Sequence, residues 1–149
     1  MIFISHRGNL CGRNPKYENN PNQIEKVISM GFDVEIDVWH KDDKWYLGHD
    51  TPDIEVSVSF LKNKALWCHA KNLSALKKMI SLDIHCFWHQ KDDYTLTTNG
   101  YIWTYPNKKL TENSIAMFKD YPIHGLAKFN CAGICSDWIH DIRNEIEND

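Results

Sequence analysis

Residues 33–39 read Asp-Val-Glu-Ile-Asp-Val-Trp, and this alternation constrains the fold more tightly than any other stretch of the chain. Successive side chains of an extended strand point to opposite faces. Val34, Ile36 and Val38 therefore share one apolar face, while Asp33, Glu35, Asp37 and Trp39 share the other. Strands inside an open parallel sheet are normally apolar on both faces. A barrel strand can instead pack its outer face on helices and present charge to a site at the barrel's C-terminal mouth. The alternation favours a barrel over an open doubly wound sheet.

Elsewhere, short apolar segments alternate with helical ones, the pattern of parallel βαβ units. Strands are expected at 2–5, 32–39, 44–47, 65–70, 85–89, 101–105 and 133–136. Helices are expected at 23–30, where Gly31 stops the chain, at 73–82, near 111–118 and from 138 to about 146. No internal repeat or linker divides the 149 residues, which suffice for one domain (1–149) with one sizeable core. The expected fold class is α/β, a reduced (β/α) TIM-type barrel with about six barrel strands in place of eight.

Composition narrows the function classes. A net charge of −3 and a pI of about 6.2 give no electrostatic footprint for nucleic acid. The pairs Lys77-Lys78 and Lys108-Lys109 read as solvated surface. No apolar run approaches the ~20 residues that span a bilayer, so no stable membrane insertion is expected. His6-Arg7 arrives too early for a signal peptide. The five cysteines are odd in number and lack CxxC spacing, which argues against a disulfide framework and for a reducing, cytoplasmic setting. Cys131 and Cys135, with His124 and His140 nearby, offer a weaker zinc-protein reading. The sequence leaves an oligomer open.

Glu35 and Asp37 place two carboxylates side by side on one strand face. Charges that close repel unless something positive lies between them, and a hard divalent cation is the natural resolution. A structural ion pair with Lys or Arg is the alternative. His6 follows the first strand and His49 the hairpin after the second, so two imidazoles flank the carboxylates, as proton transfer in phosphoryl chemistry requires. Arg7 adds a planar fork suited to phosphate oxygens.

Ile4-Ser-His-Arg-Gly, Tyr17-Glu-Asn-Asn, Gly31-Phe-Asp-Val-Glu-Ile-Asp-Val-Trp and Leu47-Gly-His-Asp together resemble the N-terminal signature of the glycerophosphodiester phosphodiesterase family, in order and spacing across residues 3–50. Leu66-Trp-Cys-His-Ala-Lys-Asn, Tyr101-Ile-Trp-Thr-Tyr-Pro and Gly133-Ile-Cys-Ser-Asp-Trp resemble later strands of that family in its order. The family sits with phosphatidylinositol-specific phospholipases on (β/α) barrels. The resemblance implies His6 and His49 as the acid/base pair and Glu35 and Asp37 as metal ligands. It further implies Arg7 and Lys71 on the phosphate, Glu18 buttressing the His6 loop, and Trp103 walling the pocket. The implied cofactor is one divalent cation, Mg²⁺ or Ca²⁺, and the implied partner a small phosphodiester substrate. His69 stands where the family carries a third metal-binding glutamate; as a ligand it shifts the preference from Ca²⁺ towards Mn²⁺ or Zn²⁺, and the alternative is that it only hydrogen-bonds a carboxylate or substrate oxygen. The alternative function is a non-catalytic reduced barrel that binds a phosphate ester or metal.

Overall fold

A computed structural model describes residues 1–123, 125 and 129–148. In chain order the elements are β1 (Ile2–His6), α1 (Pro21–Ser29), β2 (Asp33–Lys41), β3 (Lys44–Leu47), β4 (Ile54–Val56), α2 (Val58–Leu61) and β5 (Leu66–Ala70). There follow α3 (Leu73–Ser81), β6 (Cys86–Phe87), β7 (Tyr94–Leu96), β8 (Ile102–Thr104), β9 (Ser114–Phe118), β10 (Gly133–Ser136) and α4 (Ile139–Asn148).

Local chemistry sets the helix starts. Asn20 accepts from the amides of Asn22 and Gln23 ahead of Pro21, and Asn72 accepts from the amide of Ala75. Both satisfy amide groups that a first helical turn leaves unpaired. Between β2 and β3, Asp42 and Asp43 both take positive φ (51° and 57°), the geometry that matches a tight hairpin to strand twist.

The expected reduced TIM-type barrel of about six strands is not what the chain forms. Among the described residues the structure is a ten-stranded mixed sheet with four short helices. Neighbouring strands from β6 through β5, β2, β1, β10 and β9 to β8 run parallel. The pairs β2–β3, β3–β4 and β7–β8 are antiparallel. The short hairpin segments at 54–56 and 94–96 are three residues each with none buried, too brief to show in the sequence pattern. The stretch near 111–118, expected as helix, contains β9, seated between β8 and β10 with Ser114, Ile115 and Ala116 buried. Sheet pairing there overrides the helix preference of Ala and Met.

Packing follows the faces. Val34, Ile36 and Val38 lie in the main core with Ile24 and Val27 of α1, Ala75 and Met79 of α3, and Ile139 and Ile142 of α4. The other face curves around a second cluster of Ile4, Trp67, Phe87, Trp103, Ile115 and Cys135. Curvature brings β6 and β8 together from opposite ends of the sheet. Phe87 stacks on Trp103 with ring centroids 4.5 Å apart, and the Thr98 amide donates to the Cys86 carbonyl at 2.9 Å. Among the described residues no helix is long and apolar enough to cross a membrane.

Candidate functional site

The concave face ends in a cavity of about 370 Å³ at the C-terminal ends of the central parallel strands. Its wall brings together His6, Arg7, Glu35, His49, His69 and Lys71. Trp103 also lines it, almost fully buried against Phe87, so it forms floor rather than a mobile wall. Asp37 is completely buried just beneath. Glu18 lies outside this cavity, behind Arg7.

The turn after β1 aims the first two groups. Arg7 has φ 55° and Gly8 φ 91°, so the backbone reverses as soon as the strand ends. A left-handed conformation at a non-glycine residue carries strain that its surroundings must offset. The offset is visible: the Arg7 amide donates to the Glu35 carbonyl at 2.9 Å, and Arg7 accepts from the Asn19 amide at 3.0 Å. The guanidinium then lies with Nε 2.9 Å from Asp37 Oδ2 and Nη1 3.5 Å from Glu18 Oε2. Burial opposes the Arg7 charge, but Asp37, Glu35, Glu18 and Asp137 outweigh it and hold the group protonated.

His6 is oriented by Asp137, whose Oδ1 accepts from Nδ1 at 2.8 Å, and Nε2 turns towards Glu35 Oε2, 3.8 Å away. Burial pushes the Asp137 carboxyl up. The contacts with His6 and Asn9 and the Arg7 charge more than reverse this and hold it below its ordinary value. Asn9 braces the arrangement, donating to Asp137 at 2.8 Å and to Glu18 at 3.1 Å. Glu18 in turn meets Arg13 at 3.0 Å. His49 repeats the His6 pattern, its Nδ1 2.7 Å from Asp50 Oδ1, on a more open ring with 44% of the side chain exposed.

Asp37 is clamped by Asn19. The Asn19 amide side chain donates to Oδ2 at 3.0 Å, and its carbonyl oxygen accepts from the Asp37 backbone at 2.9 Å. Burial alone would raise the Asp37 carboxyl; the nearby His69 ring and the Arg7 and Lys71 charges hold it well below the usual carboxylate range. Its other oxygen, Oδ1, has His69 Nδ1 at 3.2 Å and Lys71 Nζ at 3.5 Å, yet takes no aligned hydrogen bond. Glu35 Oε2 is likewise buried without a hydrogen-bond partner.

His69 completes the group. Its Nε2 donates to the His89 carbonyl at 2.8 Å, since a carbonyl only accepts. The other ring nitrogen, Nδ1, faces Glu35 Oε1 at 3.7 Å and Asp37 Oδ1 at 3.2 Å. Burial works against a charge on this ring, but the two carboxylates push it up to about 9. Protonated, the ring sets one positive charge against the two carboxylates, with Arg7 and Lys71 also facing Asp37. As a neutral ring, the same tautomer presents an Nδ1 lone pair to the same point. One donor atom each from Glu35, Asp37 and His69 lie within 4.8 Å of one another. Two buried, unpartnered carboxylate oxygens and one imidazole nitrogen fit a hard divalent cation such as Mg²⁺ or Mn²⁺.

Three contributors were not expected from the sequence as site residues: Asn9, Asn19 and Asp137. The available signal was positional, because Asp137 follows β10 as His6 closes the adjacent β1. The zinc grouping of Cys131, Cys135 and His140 does not assemble. Cys135 is buried in the concave-face cluster and Cys131 packs on the main core. His124 lies outside the described residues. Comparison with protein-family models, curated proteins and solved structures returns no match to this chain.

Proposed function

We propose that this chain is a metal-assisted phosphodiesterase acting on a small phosphodiester of the glycerophosphodiester type, with His6 and His49 as its proton carriers. One observation carries the reading. Both imidazoles have Nδ1 tied to a carboxylate, which leaves Nε2 to take up or give a proton, and both border one cavity with Arg7 and Lys71. The resemblance in residues 3–50 supports the same reading.

Glu35, Asp37 and His69 would hold the cation, which supplies charge neutralisation at phosphate and acidifies an attacking oxygen. Arg7, kept charged by the carboxylates beneath it, and Lys71 hold the non-bridging phosphate oxygens. His6 takes the proton of the attacking hydroxyl or water, and Asp137 stabilises the imidazolium that results, as a buried carboxylate does for a catalytic histidine. His49, on the open side of the cavity, gives a proton to the departing alkoxide. Phe87 and Trp103 exclude water from the floor. All five cysteines are free thiols, which suits a reducing, cytoplasmic setting.

The test is an assay against an aryl phosphodiester beside a panel of glycerophosphodiesters. Activity is expected to vanish with chelator and return with Mg²⁺, Mn²⁺ or Ca²⁺. His6→Ala or His49→Ala should each lower kcat by on the order of 10²–10⁴. The double variant should be hardly worse than either, because the two act as a unit. Turnover undiminished in excess chelator overturns the metal's part. Phosphodiester binding without turnover replaces the reading with a binding module.

A further inference from the structure

His140 takes a different partner from the one its sequence neighbours suggest. Its Nδ1 lies 3.8 Å from the Sγ of Cys11, 129 residues away on the loop after β1, and Asp141 stands beside both. One donor atom from each of the three falls within 4.8 Å of the others. We propose that Cys11, His140 and Asp141 form a second metal site, of the zinc class, that staples the loop after β1 to the first turn of α4.

The chemistry of the donors separates it from the cavity site. A thiolate, an imidazole and a carboxylate make a softer set than Glu35, Asp37 and His69, and thiolate selects zinc or cobalt over magnesium or calcium. The spacing also suits a tetrahedral ion. Sulfur at about 2.3 Å and nitrogen at about 2.0–2.1 Å from one zinc lie about 3.6 Å apart, close to the separation seen. The Asn144 side-chain amide nitrogen lies 3.4 Å from His140 Nδ1, a long contact at the open end of the site that a metal on that nitrogen would displace. Three protein ligands leave a fourth position to water, in keeping with the exposure of Cys11.

The scaffold beneath holds the ligands in register without metal. The His140 amide donates to the Leu10 carbonyl at 3.1 Å and the Gly12 amide to the Asp137 carbonyl at 2.8 Å. A Cβ on Gly12 would meet the Trp138 ring at 3.0 Å, so loop and helix start are in contact on both sides of Cys11. The stapled loop also carries Asn9, the residue that braces Asp137 and Glu18. Metal at this site therefore stiffens the support of His6 without touching the cavity, and the assignment does not depend on the phosphodiesterase reading.

Cobalt(II) is the probe, because a thiolate–cobalt bond gives a near-ultraviolet charge-transfer band that oxygen and nitrogen ligands do not. The full chain, kept in excess Mg²⁺ to occupy the cavity site, is titrated with Co²⁺. The band should appear, be abolished by Zn²⁺, and weaken in His140→Ala and Asp141→Ala. Cys11→Ser should lose it outright while circular dichroism stays unchanged, the side chain being exposed. Cys131→Ser should keep it. A wild-type chain without the band, or a band surviving in Cys11→Ser, overturns the site.

Discussion

Asp137 and His69 are the two residues whose roles depend most on a single atom. Asp137 Oδ1 fixes the His6 ring through Nδ1 and takes a second hydrogen bond from Asn9. Replacing it by Asn keeps the shape and removes the charge that stabilises a protonated His6. Asp137→Asn should therefore lower kcat by about 10²–10⁴, with KM and unfolding midpoint little changed. An equal loss expressed only in KM would show that Asp137 serves binding. In the proposed metal site His69 would offer one neutral nitrogen where a carboxylate would add charge. His69→Glu should keep activity and move the metal ranking towards Mg²⁺ or Ca²⁺ and away from Mn²⁺. An unchanged ranking, with metal affinity also unchanged in His69→Ala, would show that Nδ1 never meets the ion.

At the scale of elements, the hairpin β2–β3 and the turn after it carry His49 to the cavity. Gly48 makes that turn possible. Its φ is 154°, its amide donates to the Asp37 carbonyl at 3.2 Å, and its carbonyl accepts from Trp39 Nε1 at 2.7 Å. A Cβ there would collide with the backbone oxygen of Thr51 and come within 2.8 Å of the Asp53 carboxylate. Gly48→Ala is expected to destabilise by about 1–3 kcal/mol in urea unfolding and to lower activity, because the turn must open next to His49. Wild-type stability in that variant would mean the turn relaxes freely. The strand β9 teaches the complementary lesson. Ser-Ile-Ala-Met-Phe carries residues that favour helix, yet its neighbours β8 and β10 each offer an unpaired edge that only an extended segment satisfies.

For the whole molecule, acid sensitivity follows from a histidine far from the proposed chemistry. His85 packs against Trp67 with ring centroids 4.3 Å apart and shares a hydrogen bond with Thr97 at 2.9 Å. Burial lowers its pKa to about 4. An unfolded chain binds that proton near the ordinary 6.5, so between about pH 6.5 and 4 the unfolded state holds more protons. Stability therefore falls as pH drops through this window and stops responding to His85 below it. His85→Gln should flatten the slope of unfolding free energy against pH there. A slope identical to wild type would place the acid sensitivity elsewhere. Much of the molecule was readable along the chain: the two faces of β2, the strands at 2–5, 66–70 and 133–136, three of the helices, and the residue types around the cavity. These are local facts, because a period of two or of 3.6 is written in neighbouring residues. What the tertiary structure alone decided is which strands pair. That choice made a mixed ten-stranded sheet instead of the expected reduced barrel, turned 114–118 into strand, and set Asp137 on His6 and Cys11 on His140. Pairing joins segments more than a hundred residues apart and is selected by the burial of the whole sheet at once, so no window of the sequence contains it.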